Sequence, residues 1–161
     1  MIGQSPSDER FMQAALVEAQ AAESEGEVPI GAVVVLEGRI IGRGHNRVEA
    51  AQDPTAHAEI IAIGAAAQTI NTWRLDGATL YVTLEPCHMC AGAIVLSRIA
   101  RLVYGARDPK AGACGSLAMV PQDLRLNHRA EVVPGVLAED ASLLLEQFFR
   151  TKRRATNRLE T

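Results

Sequence analysis

Apolar positions near the start of the chain recur at three- and four-residue steps, Phe11, Met12, Ala15, Leu16, Ala19 and Ala22, the spacing that lines one face of a helix. Ser7, followed by Asp8 and Glu9, predicts the helix start, because a side-chain oxygen there satisfies free backbone N–H groups and the acids complement the positive helix end. Gly26 marks its end. The pattern then changes to a β-branched run from Ile30 to Leu36, a Glu37-Gly38 pair, and a second run from Arg39 to Gly44. That order predicts a hairpin closed by a two-residue turn. Asn46 to Asp53 is polar and predicts a loop, after which Asp53 can cap and Pro54 can open a helix to about Ile70. His57 and Glu59 fall in its first turns.

Ala78 to Thr83 predicts a buried strand, and Pro86 opens a helix over Cys87 to Ser97. Two more strands are predicted at Arg101 to Tyr104 and Glu131 to Val133, with a glycine-containing loop over Asp108 to Gly115 between them, and a last helix from Leu137 to about Arg154. No internal repeat or low-complexity linker interrupts this order. Five strands with helices between the later ones require helices on both sheet faces. The expectation is an α/β fold, a three-layer α/β/α sandwich around a five-stranded mixed sheet, as one domain over residues 1–161.

The composition, 161 residues with 48% apolar and 22% charged, suits one globular domain whose core needs no staples. No apolar stretch approaches the ~20 residues that cross a bilayer. Asp8 and Glu9 break the pattern of a secretory leader, so no membrane partner and a cytoplasmic location are expected. Three cysteines are too few, and odd in number, for a disulfide framework. The net charge of -3 hides an asymmetry: residues 1–90 carry 5 basic and 12 acidic side chains (-7), and residues 91–161 carry 11 and 7 (+4). From Phe148 onward, Arg150, Lys152, Arg153, Arg154 and Arg158 stand against Glu160 alone. Such a basic helix or tail supplies phosphate affinity, or simply complements a helix dipole. The Glu23, Glu25 and Glu27 run reads as a solvated face.

His57-Ala58-Glu59 and Pro86-Cys87-His88-Met89-Cys90 carry the candidate chemistry. Two thiolates and one imidazole make three zinc ligands, and a catalytic zinc site keeps its fourth position for water, whose pKa falls from about 15.7 toward ~7. Helix N-termini favour thiolate over thiol. Glu59, two residues from His57, is better placed beside that water than on the metal, as a proton shuttle. Cys-x-x-Cys also suits a redox pair, and a closed structural zinc site would take a fourth ligand from His45, His88, Cys114 or His128. The upstream His-Ala-Glu favours the open, catalytic site.

These motifs resemble the zinc-dependent cytidine and adenosine deaminase superfamily, whose signature is H-x-E followed by P-C-x-x-C. The wider match, Glu27 to Val33, Gly44 to Arg47, Asp53 to Glu59, Tyr81 to Cys87, Gly105 to Lys110 and Phe148 to Arg150, is similar to the bacterial tRNA-directed adenosine deaminase branch. The resemblance implies a cytidine-deaminase-like fold, a homodimer with one zinc per subunit, and hydrolytic deamination of the wobble adenosine of a tRNA anticodon stem-loop to inosine. His57, Cys87 and Cys90 would hold zinc and Glu59 would move protons. Asn46, Val28, Pro29 and Leu84 would form the nucleoside pocket, with the Ala58 N–H near the base. Asp108 and Lys110, with Phe149, Arg150 and Arg153 of the basic tail, would contact RNA. A small-molecule deaminase acting on guanine, cytosine or cytidine shares the same chemistry and is the alternative.

Overall fold

The computed structural model describes residues 5–160. Helix α1 spans Pro6–Ser24, strands β1 and β2 span Gly31–Leu36 and Arg39–His45, and a one-turn helix α2 covers Val48–Ala51. Then come α3 (Ala58–Thr69), β3 (Thr79–Leu84), α4 (His88–Leu96), β4 (Arg101–Ala106), β5 (Glu131–Val133) and α5 (Ala138–Leu159). The five strands form one sheet in the order β2-β1-β3-β4-β5. Strand β1 runs antiparallel to both neighbours, while β3, β4 and β5 are mutually parallel, so the sheet is mixed as the pattern predicts.

Alternation along the strands sorts the core into two layers, because successive side chains leave opposite faces. Val33, Val35, Tyr81, Val103 and Val133 pack with Phe11, Met12 and Ala15 of α1. Ala32, Val34, Leu80, Val82 and Leu102 pack on the other face with Ala62 and Ala66 of α3 and Ile94 of α4. Helix α5 joins α1 on its side of the sheet. The closeness of α3 depends on two glycines of β2: a Cβ on Gly42 would overlap the backbone of Ala62 and Ala66, and one on Gly44 would overlap that of Ala58 and Ala62. The start of α3 is thereby set directly against the end of β2.

Strand β2 forms one edge of the sheet, with Arg39 and Arg43 exposed and a register break opposite Val34/Val35; the other edge, β5, has three residues. The ends of β2, β3 and β4 and the start of β1 share one end of the sheet. Ligands of open α/β sheets gather outside the carboxyl ends of parallel strands.

Four local expectations are corrected. Ser5, not Ser7, caps α1: its hydroxyl accepts from the Asp8 N–H at 3.3 Å, the Asp8 carboxylate accepts from the Ser5 N–H at 3.0 Å, and Pro6 takes the first turn, where no N–H is needed. Residues 48–51 are helical within the expected loop, and α3 begins at Ala58 rather than Pro54. The cause is Asp53, whose carboxylate accepts from the Thr55 N–H at 2.8 Å and hydroxyl at 2.7 Å, a local turn that competes with helix. Helix α5 continues past Arg154 to Leu159. The Asp8 carboxylate also accepts from Tyr81 Oη at 2.8 Å and from both Arg101 Nη atoms at 2.6 and 2.8 Å, tying α1 to β3 and β4.

Candidate active site

Two helix starts meet at the shared end of the sheet. His57 is the N-cap residue of α3 and Cys87 that of α4, and neither side chain caps its own helix, which leaves the imidazole and thiol to each other. Cys90 lies one turn into α4 and is fully buried. His57 Nδ1 is 3.6 Å from Cys87 Sγ and 3.5 Å from Cys90 Sγ, and the three donor atoms lie within 4.8 Å of one another. Tetrahedral zinc with Zn–S of about 2.3 Å and Zn–N of about 2.0–2.1 Å requires N···S edges of about 3.5–3.6 Å. The donor set therefore fits a zinc-sized ion by chemistry and by spacing. Among the described residues no other His, Cys, Asp or Glu group meets that test.

The three groups share protons. Hydrogen bonds from the Cys90 thiol and from His57 bring the Cys87 thiol down to about 3, the Cys87 thiolate in turn raises His57, and donation to Cys87 together with burial raises Cys90. A cation bound by all three would displace those protons. Glu59, in the first turn of α3, is 4% exposed, and burial raises its carboxyl above the usual range. A buried carboxyl that holds its proton more tightly than usual, beside a donor set that could hold a metal ion, is placed to carry protons.

The group opens into two adjoining hollows. A cavity of about 290 Å³ has His57, Ala58 and Glu59 as its floor and Val28, Ile30 and Asn46 among its walls. A smaller one, about 130 Å³, touches His57 and Glu59 together with Leu84, Cys87, Asp108 and Ala111. Val28, Asn46, Ala58, Leu84 and Asp108 are thus gathered where the sequence places them. Pro29 is buried and lines neither hollow. Lys110, Phe149, Arg150 and Arg153 surround a separate surface hollow of about 470 Å³. The residues that α5 presents to the larger cavity are Phe148 and Lys152, one helical turn apart, with Lys152 Nζ 5.7 Å from the Phe148 ring centre.

None of the alternative fourth ligands approaches the group. His88 is exposed. His45 lies between Glu18 at 2.9 Å and Glu25 at 3.2 Å, His128 Nε2 meets the Ile99 carbonyl at 2.6 Å, and Cys114 is buried and outside the cluster.

Two acids escaped sequence reasoning. Glu27, taken for part of a solvated run, is 1% exposed and accepts from the N–H groups of Glu49 at 3.3 Å and Ala50 at 2.6 Å. It caps α2, whose N-cap residue Arg47 supplies no side-chain bond, and so holds one wall of the larger cavity. Glu85 is buried just before Pro86-Cys87 and accepts from the backbone of Asp108, Cys114 and Ser116 and from the Ser116 hydroxyl. Burial alone would raise its pKa; those hydrogen bonds outweigh burial and lower it. The only signal in the sequence is a charged residue closing an apolar strand.

Residues 6–153 match the family model described as MafB19-like deaminase. The chain is 55% identical over 147 residues to a tRNA-specific adenosine deaminase of Bacillus subtilis (strain 168), covering 91% of each. It is 53% identical over 157 residues to a tRNA-specific adenosine deaminase of Haemophilus influenzae, covering 97% of this chain and 90% of that one. Its fold superposes on a solved structure from work on A-to-I editing by tRNA:A34 deaminases at the wobble position of transfer RNA. The TM-score is 0.81 and the identity 48%, covering 84% of this chain and 99% of that one.

Proposed function

The chain belongs to the MafB19-like deaminases and, within them, to the tRNA-specific adenosine deaminases, and on that premise we propose that it hydrolyses the wobble adenosine of a tRNA anticodon stem-loop to inosine and ammonia. The observation that carries the reading is the buried Glu59 carboxyl, which lines a cavity of about 290 Å³ together with His57 of the His57/Cys87/Cys90 donor set. That volume is at the lower end of small-molecule sites and suits a single extruded nucleoside.

His57, Cys87 and Cys90 would hold one zinc per subunit. Bound there, zinc supplies a Lewis acid that makes water a nucleophile at neutral pH. Glu59 accepts the proton that the attacking water releases and delivers it to the ring nitrogen beside the carbon that bears the amine. It then takes the proton of the hydroxyl newly added to that carbon and passes it to the departing amine; the C–N bond breaks as the hydroxyl becomes a carbonyl, leaving inosine and ammonia. Val28, before the start of β1, and Asn46, just after the end of β2, border the cavity and orient the nucleoside, with the Ala58 N–H at the α3 start. Phe148 offers a ring against the sugar or base, and Lys152 a cation toward a phosphate. Lys110, Arg150 and Arg153, round their own hollow, extend that charge along the strand.

A homodimer would cover apolar surface of α4, where Met89 and Leu96 are exposed seven residues apart. A cytoplasmic place follows from a tRNA substrate, and no helix among the described residues is long and apolar enough to cross a membrane. One deaminase domain accounts for residues 6–153.

The test is nucleoside mass spectrometry after zinc-loaded protein meets an anticodon stem-loop with adenosine at the wobble position, with free guanine, cytosine and cytidine in parallel. Inosine in the stem-loop alone is expected. Ammonia from a free base or nucleoside, with the stem-loop untouched, would move the chemistry to a small-molecule substrate.

A further inference from the structure

We propose that Glu85 is a positioning residue for this reaction, its carboxylate fixing the stance of the 108–116 loop over the His57/Cys87/Cys90 group. The kinetic side of the proposal rests on the RNA-deaminase reading above. Its structural side does not. Glu85 leaves β3 two residues before Cys87 and is 2% exposed. Oε1 accepts from the Asp108 N–H at 3.1 Å and the Ser116 hydroxyl at 2.5 Å, and Oε2 from the N–H groups of Cys114 at 3.1 Å and Ser116 at 3.0 Å.

Two carboxylate oxygens offer about four lone-pair sites, and all four are engaged. Glu85 therefore has no acceptor left for a metal or for a travelling proton, and it acts through the loop. Every donor belongs to the segment after β4, which the parallel pairing of β3 with β4 brings alongside. Gly112 closes the contact from the other side, since any Cβ there would overlap the Glu85 carboxylate. The Ala113 N–H donates to the Pro86 carbonyl at 2.8 Å and so joins the loop to the segment that carries Cys87, while the Gly112 N–H donates to the Asp108 carbonyl, also at 2.8 Å, and closes the loop on itself.

Asp108 and Ala111, held in this way, wall the smaller hollow beside Glu59. A fixed lip there contributes binding to a nucleotide that continues into a strand on either side. It leaves the proton transfers at Glu59 unchanged. Loss of the clamp should accordingly appear in KM rather than in kcat.

The zinc-loaded Glu85→Gln protein tests this, because the amide keeps the size of the side chain while turning one acceptor into a donor that faces N–H groups. The expected result is a rise of about tenfold or more in KM for the stem-loop, with kcat within about twofold and one zinc per chain. Hydrogen exchange at the amides of Asp108, Cys114 and Ser116 should quicken by about tenfold, with β3 and β4 unchanged. Ser116→Ala removes the hydroxyl donor but no backbone bond, and should move both readouts less in the same direction, even if the first variant folds poorly. Unchanged exchange at those amides in both variants would overturn the clamp whatever the substrate. Faster exchange with an unchanged KM would overturn the positioning role. Wild-type protein that leaves the stem-loop untouched would sink the RNA reading and this kinetic role together, while exchange would still decide the clamp.

Discussion

Replacing Asp8 with Ala takes a carboxylate out of the junction between α1, β3 and β4. Asp8 is 1% exposed and accepts from two Arg101 nitrogens, the Tyr81 hydroxyl and the Ser5 N–H at 2.6 to 3.0 Å. Removing one member of a buried ion pair costs about 3–5 kcal/mol, chiefly because the other charge is left without its partner. Arg101 keeps 22% exposure and a second acid, Glu131, at 3.5 Å, which favours the lower end, about 3 kcal/mol. For a chain of this size each kcal/mol shifts the melting temperature by about 2–4 °C, so thermal unfolding followed by circular dichroism should fall by roughly 6–12 °C at pH 7.

The sign of the pH dependence follows from the guanidinium beside Asp8, which holds its carboxyl well below the usual range in the folded state. The stabilisation is then fully present above about pH 4, the value of a free aspartate, and is lost as pH falls through the lower folded value. The gap between wild type and Asp8→Ala should narrow below about pH 4. Asp8→Ala combined with Arg101→Ala should cost less than the two single changes added together, since each alone strands a charge. A loss under about 2 °C at pH 7, or a gap that stays constant into acid, would refute the assigned network.

Glu59→Gln should lower kcat by about 10²- to 10⁴-fold while zinc, read by mass spectrometry, stays at one per chain, and it should not lower the melting temperature, because the replaced carboxyl is buried. Cys87→Ala should abolish stoichiometric zinc and lower the melting temperature through lost metal–folding coupling; undiminished metal content would remove Cys87 from the ligand set. Gly42→Ala should cost about 1–3 kcal/mol in urea unfolding, because its methyl group meets the backbone of Ala62 and Ala66. Neutralising Lys110, Arg150 and Arg153 together should weaken stem-loop binding and flatten its salt dependence by about two to three charges; an unchanged slope would remove that hollow from the RNA path.

The His57/Cys87/Cys90 group, whose donor atoms could hold a metal ion, was legible in the sequence because its geometry is local: Cys-x-x-Cys puts both sulfurs on one turn, and His57 and Cys87 each begin a helix. The central strands were legible as short β-branched or apolar runs, the form taken by strands covered on both faces, and the two core layers lie on either side of them. Contacts set by tertiary placement were not. The phase with which α5 docks decides that Phe148 and Lys152, rather than Phe149, Arg150 and Arg153, line the larger cavity, and residue order alone carries no such phase. Glu27 sits two residues after Glu25 and in sequence looks the same, yet it is buried against α2, whose own existence the Asp53 turn concealed. Asp8 reads as a helix-start acid and serves as one, and nothing in its neighbourhood announces a partner 93 residues away.

The borders of the sheet bear on how this protein behaves when crowded with copies of itself. An unpaired strand offers a ladder of N–H and C=O groups to any strand that drifts past, which is the starting point of ordered aggregation. At one border only three residues are available, too short a template to hold a visitor. At the other, Arg39 and Arg43 stand exposed and the register break opposite Val34/Val35 bends the ladder, so an incoming copy meets like charge and a twisted edge. Concentrated solutions should accordingly resist fibril formation, and the two arginines give that resistance a dependence on salt that the buried core does not share.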